Sequence, residues 1–156
     1  MATIFTRIIK GEIPCYKIYE DENYFAFLDI NPLQKGHTLV IPKKEDDYIF
    51  NLDDATYSGL MMTAKKIAAA IKESTNCKRV GVTVLGMEVP HVHIHLVPMN
   101  SEKDMLFSNP KMELSKEEFE ASPIKYFKVA IGKGYMTYEE LINIFLYMGE
   151  NGLVDS

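Results

Sequence analysis

The chain has 156 residues, of which 47% are hydrophobic and 25% charged, and its formal net charge is −5. These values are typical of a soluble globular protein that folds as one domain, with room for an appendage. The sequence contains no basic stripe that would suit nucleic acid and no apolar run that would span a membrane. It shows no signal-peptide pattern, and Cys15 and Cys77 lie far apart without a CxxC spacing, so we expect a reducing, cytoplasmic location.

The first 42 residues predict a short helix followed by three strands. Residues 2–10 form the predicted helix, which Gly11 ends. Alternating apolar residues predict strands at 15–20, 24–30 and 37–42, and the first two of these form a hairpin. The apolar face of the helix suits core packing and a pocket wall equally well, and it consists of Ile4, Phe5, Ile8 and Ile9.

The middle of the chain predicts one long helix and a further strand. The helix begins at Asp53 or Asp54, continues to about Glu73 and carries apolar residues along one face. Residues 79–85 form the next predicted strand. Because one long helix and several strands are joined by short links, we expect an α+β fold with an antiparallel sheet of about five strands.

The last third of the chain has weaker patterns. Ser115 begins a capping-box sequence, which predicts a short helix. A strand at 124–131 and a helix from Thr137 through Tyr147 are predicted to follow. This segment is too apolar for a free linker, so we expect it to pack on the domain or on a second subunit.

Three of the four histidines alternate with apolar residues between Pro90 and Pro98. Side chains at i, i+2 and i+4 of a strand share one face, at a spacing of about 6.6 Å. The pattern therefore predicts a strand, bounded by the two prolines, with three imidazoles on one face and apolar side chains in the core. The histidines are His91, His93 and His95, and the apolar residues are Val92, Ile94 and Leu96.

Four interpretations of this strand remain open from the residues alone. The histidines face solvent without a role, bind a metal ion such as zinc, bind a ligand without chemistry, or catalyse a reaction. In the catalytic case one imidazole acts as nucleophile, one as acid and one as orienting group. A solvent face more often carries Lys, Glu or Thr, which disfavours the first interpretation. The fourth histidine, His37, begins a strand after a loop and is a candidate member of the same site.

Residues 91–97 resemble the histidine triad (HIT) signature, His-φ-His-φ-His-φ-φ, in which φ is apolar. Residues 4–14, 20–32 and 36–43 are similar to the opening helix and central hairpin of the same family, in the same order and spacing. The resemblance covers roughly residues 2–120. It implies a HIT domain at residues 1–122 and leaves residues 123–156 as a C-terminal extension of unknown role.

The resemblance implies a nucleotide-binding homodimer whose sheet continues from one subunit into the other. It implies hydrolysis or transfer at the α-phosphate of a nucleotide conjugate, with hydrolysis of a purine nucleoside phosphoramidate to AMP or GMP as the first expectation. Hydrolysis of dinucleoside polyphosphates and nucleotide binding with little catalysis are the alternatives. No metal ion or other cofactor is expected to take part.

The resemblance also implies a role for each candidate residue. His93 is expected to be the nucleophile that forms a nucleotidyl-histidine intermediate, and His95 to contact the phosphate and assist the leaving group. His91 and His37 are expected to form a hydrogen-bonded relay that orients His93. Asp29 is expected to accept hydrogen bonds from the ribose hydroxyls. The base pocket is expected to consist of Ile4, Phe5, Ile8, Ile13 and Ile30.

Two local departures from the family pattern change these expectations. Thr3 and Thr6 stand where many bacterial relatives carry a CxxC that helps to bind a structural zinc ion, so no such zinc is expected. The connection before the triad is short, and it carries Met87 and Glu88 where many relatives have a glutamine and a serine or threonine. A carboxylate at residue 88 repels phosphate unless it points away from it.

Overall fold

A computed structural model of the chain describes residues 2–122. Its elements are α1 (Ile4–Ile9), β1 (Lys17–Glu20), β2 (Tyr24–Leu28), β3 (Thr38–Pro42), α2 (Asp54–Thr75), β4 (Arg79–Thr83), β5 (Ile94–Met99) and α3 (Lys116–Glu120), with short 3₁₀ helices at Ile49–Asn51 and Glu102–Met105. The predicted α+β fold is confirmed, and the predicted bounds differ by at most three residues. The strand predicted at 124–131 and the helix predicted from Thr137 lie outside the described residues.

The five strands form one antiparallel sheet in the order β1-β2-β3-β5-β4. β5, the last strand among residues 2–122, therefore lies inside the sheet, between β3 and β4. His95 on β5 pairs with Leu39 of β3 on one side and with Thr83 of β4 on the other. Because strands on both sides hold its backbone, His95 has a fixed position near the middle of the sheet.

The two faces of the sheet are covered by different helices. Helix α2 packs on one face of the sheet. The hydrophobic core between helix and sheet contains Val92, Ile94 and Leu96, as the alternating pattern predicts. The opposite face packs against α1 through a second cluster of buried residues. That cluster consists of Phe5, Phe25, Phe27, Leu39 and Ile41. Because side chains alternate along a strand, the histidines lie on the α1 side of the sheet.

Helix α2 is fixed at both ends and approaches the sheet closely near its start. The side chain of Asp53 accepts a hydrogen bond from the Thr56 N–H, and Asn76 ends the helix in the left-handed conformation. The Tyr24 hydroxyl donates to the Thr56 carbonyl at 3.1 Å, and Gly59 lets the tyrosine ring approach the helix. Among residues 2–122, no helix is both long enough and apolar enough to span a bilayer.

The strand that carries the histidines begins later than predicted. β5 starts at Ile94, and the backbone N–H groups of His91 and Val92 pair with loop carbonyl groups rather than with a strand. The His91 N–H donates to the Val89 carbonyl, and the Val92 N–H donates to the Asp46 carbonyl. His91 and His93 therefore precede the strand, while their side chains remain on the face that the alternation predicts.

β5 also continues past the proline that was expected to end it. Pro98 lies inside β5 and pairs with Val80 of β4. The ladder between β5 and β3 ends where Leu96 pairs with Thr38, so β5 has a strand partner on one side only at Pro98. A proline without an N–H is tolerated at such an edge-like position.

Candidate active site

The structure brings all four histidines together in one buried cluster on the α1 side of the sheet. His93 and His95 have ring centroids 4.9 Å apart, and His37 and His95 have ring centroids 5.2 Å apart. Phe5 of α1 contacts both His91 and His93 edge-on, at 5.7 and 5.1 Å between centroids. All four imidazoles are at most 7% exposed, so their hydrogen bonds determine which ring nitrogens carry protons.

The hydrogen bond of His93 fixes its tautomer. Nδ1 of His93 lies 2.7 Å from the carbonyl oxygen of His91. Because a carbonyl oxygen only accepts, Nδ1 carries the proton and donates it. In the neutral ring, the lone pair is then on Nε2. His93 therefore presents an unprotonated Nε2 atom, which is the form that can attack an electrophile.

A second chain of hydrogen bonds fixes His37 and His95. The Leu33 N–H donates to Nδ1 of His37 at 3.0 Å, so this nitrogen is unprotonated and the proton is on Nε2. Nε2 of His37 lies 2.9 Å from Nδ1 of His95 and donates to it. The neutral His95 ring consequently carries its own proton on Nε2, which makes that atom a hydrogen-bond donor toward a ligand.

The electrostatics agree with neutral rings in this pair. Burial, together with smaller effects of neighbouring histidines and of the charge of Lys111, lowers the pKa of His37 to about 3 and the pKa of His95 to about 4. Near neutral pH both imidazoles are therefore uncharged. His95 therefore offers an Nε2–H donor without a full positive charge.

The ring of His91 is held from both sides. Nε2 lies 2.8 Å from the Pro42 carbonyl oxygen, and Nδ1 lies 2.7 Å from the hydroxyl oxygen of Thr3. Burial lowers the pKa of His91, which favours the neutral ring. His91 contacts His93 through its backbone carbonyl, and the His37 ring is bonded to His95. The expected relay is therefore arranged differently, because neither the His91 ring nor the His37 ring is hydrogen-bonded to the His93 ring.

Asp29 lies next to the histidine cluster. Its Oδ1 accepts from the Asn31 N–H at 2.8 Å, and its Oδ2 lies 3.5 Å from Nε2 of His37. Burial raises the pKa of this carboxyl group, and the Asn31 hydrogen bond opposes that effect. Asp29, His37 and His95 offer three donor atoms within 4.8 Å of one another, a set that suits Zn²⁺. A metal ion there would replace the hydrogen bond between His37 and His95.

The apolar residues expected to line a base pocket are in different environments. Phe5 is buried against the histidine rings, and Ile8 packs against the apolar cluster that contains Phe5. Ile13 is half-buried. Ile4 and Ile30 are 48% and 63% exposed, so they are available to a ligand. Within residues 2–122, Phe5 alone of the five makes a ring contact with a histidine.

Two residues beyond the triad belong to the site and were not predicted. The Phe107 ring lies 4.9 Å from the His95 ring and 6.4 Å from the His37 ring. The Lys111 ammonium lies 5.2 Å from the centroid of Phe107. The sequence offers one weak signal for this contribution, because Lys111 is the only charged residue between residues 105 and 112.

The connection before the triad leaves both of its unusual side chains in solvent. Met87 is 88% exposed, and Glu88 is also exposed. A cavity of about 570 Å³ lies elsewhere in the domain, lined among others by Gln34, Thr75 and Pro98, and none of the four histidines lines it. The candidate site is therefore defined by the histidine cluster and not by that cavity.

Comparisons with known proteins show which family this chain resembles. The HIT domain family matches residues 10–102. An uncharacterized HIT-like protein of Borreliella burgdorferi is 39% identical over 124 residues, which are 74% of this chain and 89% of that protein. The adenosine 5'-monophosphoramidase hnt1 of Schizosaccharomyces pombe is 37% identical over 123 residues, which are 78% and 92% of the two chains.

A solved structure is also similar to this chain. The crystal structure of a hypothetical histidine triad nucleotide-binding protein from Sulfolobus tokodaii matches with a TM-score of 0.70 at 29% identity, and the match covers 86% of this chain and 97% of that one. The sequence match, the shared fold and the clustered histidines lead to one conclusion. The chain belongs to the HIT family.

Proposed function

We propose that this protein hydrolyses nucleotide conjugates at the α-phosphate, and that its substrates are purine nucleoside phosphoramidates, which it converts to AMP or GMP. The observation that carries the proposal is the hydrogen bond from Nδ1 of His93 to the His91 carbonyl, which leaves Nε2 unprotonated. The relative in Schizosaccharomyces pombe is named an adenosine 5'-monophosphoramidase, which supports the same substrate class.

In the first step, Nε2 of His93 attacks the phosphorus and forms a phosphorus–nitrogen bond. The bond between phosphorus and the leaving amine breaks, and the amine nitrogen keeps the electron pair and takes up a proton from solvent. The imidazole gains positive charge, and the 2.7 Å hydrogen bond from its Nδ1–H to the His91 carbonyl oxygen stabilises that charge. The product of this step is a nucleotidyl-histidine.

In the second step, water attacks the phosphorus and releases a proton, and Nε2 of His93 leaves with its electron pair. His95 assists both steps by donating a hydrogen bond from Nε2 to a phosphoryl oxygen or to the departing atom. That donor is available because His37 occupies the other ring nitrogen of His95. The tautomers of the cluster therefore supply an unprotonated nitrogen on His93 and a hydrogen-bond donor on His95 without a metal ion.

The nucleoside is proposed to lie between Asp29 and the exposed isoleucines. Asp29 has an oxygen directed toward the cluster and is placed to accept from ribose hydroxyls. Ile4 and Ile30 offer exposed apolar surface for a flat base. The positive charge of Lys111 lies close enough to lower the pKa of His95, so it is also placed to attract phosphate.

We also propose that two copies of the chain associate along β4. This strand lies at the edge of the sheet, so one row of its backbone N–H and C=O groups has no strand partner among the described residues. Val82, Leu85 and Met87 on or next to β4 expose much of their apolar surface. A twofold pairing of β4 with its copy would cover both features and extend the sheet. Light scattering that gives the mass of a monomer contradicts this proposal.

The experiment that tests the reaction is intact-protein mass spectrometry after brief mixing with an adenosine phosphoramidate, quenched without strong acid so that a phosphorus–nitrogen bond survives. We expect an adduct of the size of AMP on the native protein, none on His93→Ala, and release of AMP in parallel. Tight AMP binding with neither adduct nor release contradicts hydrolysis and favours a nucleotide-binding module. Faster turnover of a diadenosine polyphosphate than of the phosphoramidate contradicts the proposed leaving group.

A further inference from the structure

We propose that Thr3, anchored by Glu45, is a positioning residue for the nucleophile: its hydroxyl holds the ring of His91, and the carbonyl of His91 holds the ring of His93. The inference deepens the proposed function and rests on it. Neither residue is hydrogen-bonded to the His93 ring, and 88 positions separate Thr3 from His91 along the chain. Their effect on the reaction therefore acts through His91.

The partners of the His91 ring determine the direction of both of its hydrogen bonds. Nε2 faces the Pro42 carbonyl oxygen at 2.8 Å, so it carries the proton. Nδ1 of the neutral ring is then an acceptor, and the hydroxyl of Thr3 at 2.7 Å is its donor. The His91 side chain is fully buried, so solvent does not offer a replacement for that donor.

The proton of the Thr3 hydroxyl is directed to His91, because Nδ1 of His91 at 2.7 Å is closer than the other acceptor within reach, the Thr6 hydroxyl oxygen at 3.3 Å. Thr3 is the N-cap of α1, and its oxygen accepts from the Thr6 N–H at 3.1 Å. The Thr6 hydroxyl donates its own proton to Oε1 of Glu45. The Thr3 N–H donates to the same carboxylate oxygen at 3.0 Å. These hydrogen bonds hold both the backbone and the side chain of Thr3 in position.

The charge of Glu45 suits this anchoring role. Its hydrogen bond from Thr6 lowers the pKa of the carboxyl group, and the bond from the Thr3 backbone lowers it further. Glu45 therefore remains an acceptor over the working range of pH. One carboxylate oxygen thus receives two donors from the first turn of α1 and joins that turn to the loop after β3.

His91 connects Thr3 to the His93 ring, which carries the reacting atom. The His91 residue is held at three points: its ring by Thr3 and Pro42, and its N–H by the Val89 carbonyl. Its carbonyl oxygen accepts from Nδ1 of His93 at 2.7 Å. If the Thr3 hydroxyl is removed, Nδ1 of His91 is buried without a donor and the ring reorients. The carbonyl then moves, and the His93 ring loses the bond that selects its tautomer.

The test uses variants that differ in one hydroxyl or one methyl group. Thr3→Val keeps the shape of the side chain and removes the donor, and Thr3→Ser keeps the donor. Thr63→Val is the matched control, because Thr63 is also buried and hydrogen-bonded but lies on α2, on the other face of the sheet. Kinetics with an adenosine phosphoramidate and ¹⁵N NMR of the histidine rings are measured for each.

We expect kcat of Thr3→Val to fall about 10- to 100-fold, by analogy with the range found when the hydrogen-bond partner of a metal-binding histidine is lost. KM is expected to stay within about twofold, because Thr3 is outside the proposed nucleotide site. Thr3→Ser and Thr63→Val should retain the native kcat. The NMR spectra should show a single Nδ1–H tautomer for His93 in the native protein and in Thr3→Ser, and mixed tautomers in Thr3→Val.

The outcomes separate this inference from the proposed function. A native kcat and a single His93 tautomer in Thr3→Val overturn the inference and leave the proposed function in place. If the native protein has no turnover, the proposed function fails, and the NMR tautomers alone decide the inference. If Thr3→Val does not fold, Glu45→Ala replaces it; it should give a smaller fall in kcat with the same mixture of tautomers, and an unchanged kcat and spectrum overturn the inference.

Discussion

The backbone carbonyl of His91 accepts a 2.7 Å hydrogen bond from Nδ1 of His93. The first and second triad histidines are thus joined by a main-chain acceptor and a side-chain donor. A carbonyl group cannot gain or lose a proton, so this bond selects the same His93 tautomer at every pH at which the ring is neutral. The fold thus determines that Nε2 carries the lone pair of the neutral His93 ring.

Replacing His93 by alanine tests this assignment directly. Since Nε2 of His93 is the proposed attacking atom, His93→Ala should lose turnover by several orders of magnitude. Binding of AMP should change by less than about tenfold, because Asp29 and the apolar surface remain. Turnover is measured by AMP release and binding by calorimetry. Residual turnover close to that of the native protein would remove His93 from the role of nucleophile.

The acid stability of the fold follows from the lowered histidine pKa values. His37 and His95 have folded pKa values of about 3 and about 4, below the unfolded value of 6.5. The unfolded chain therefore binds protons that the folded chain does not, and stability is fully present above pH 6.5 and lost as the pH falls toward these folded values. Each histidine should contribute a slope of up to about 1.4 kcal/mol per pH unit in that window.

Urea unfolding at several pH values between 7 and 4 measures this slope. His37→Gln serves as the comparison, because the variant removes one of the two titrating groups, and its free energy of unfolding should depend less on pH over the same range. A free energy of unfolding that is constant from pH 7 to pH 4 would show that the two rings are accessible to protons in the folded protein.

The sequence predicted those parts of the site that depend on local periodicity. The alternation around His93 and Ile94 correctly separated the residues facing α2 from those facing α1. It did not predict that His91 would act through its backbone, because a side-chain pattern carries no information about carbonyl groups. It also placed the start of β5 too early, since the Asp46 carbonyl that captures the Val92 N–H lies far away in the sequence.

Contacts across long sequence separations explain the other omissions. Thr3 reaches His91 only because α1 packs on the sheet face that carries the histidines. Phe107 reaches His95 from an irregular segment after β5, where no period in the sequence marks a helix or strand. Such contacts are set by tertiary packing, which a single sequence does not encode locally.

Gly59 should resist the substitution that normally stabilises helices. Alanine in a helix is favoured over glycine by about 0.8–1.0 kcal/mol. A Cβ atom at residue 59 would lie 1.9 Å from the hydroxyl oxygen of Tyr24, which bonds to the first turn of α2. Gly59→Ala should therefore destabilise the fold by about 1–3 kcal/mol in urea unfolding. Ser58→Ala, at the neighbouring exposed position, is the control; equal stabilisation by both changes contradicts the close contact.

Removal of metal ions should not affect turnover. The hydrogen bonds of the cluster already supply an unprotonated Nε2 on His93 and a donor Nε2–H on His95. The proposed steps therefore need no metal ion to lower a pKa or to polarise the phosphate. The measurement is AMP release before and after dialysis against a chelator, together with elemental analysis. Turnover that is lost on dialysis and restored by Zn²⁺ contradicts this prediction.

The positive charge of Lys111 should help to bind phosphate. Its ammonium donates to the Phe107 carbonyl at 2.6 Å, and the Phe107 ring packs against His95. Lys111→Met should raise the pKa values of His37 and His95, because the lysine lowers both. It should also reduce kcat/KM about three- to tenfold, and less in high salt. Lys103→Gln, an exposed lysine on the same segment, is the control. Equal effects of the two changes would mean that Lys111 contributes only general charge.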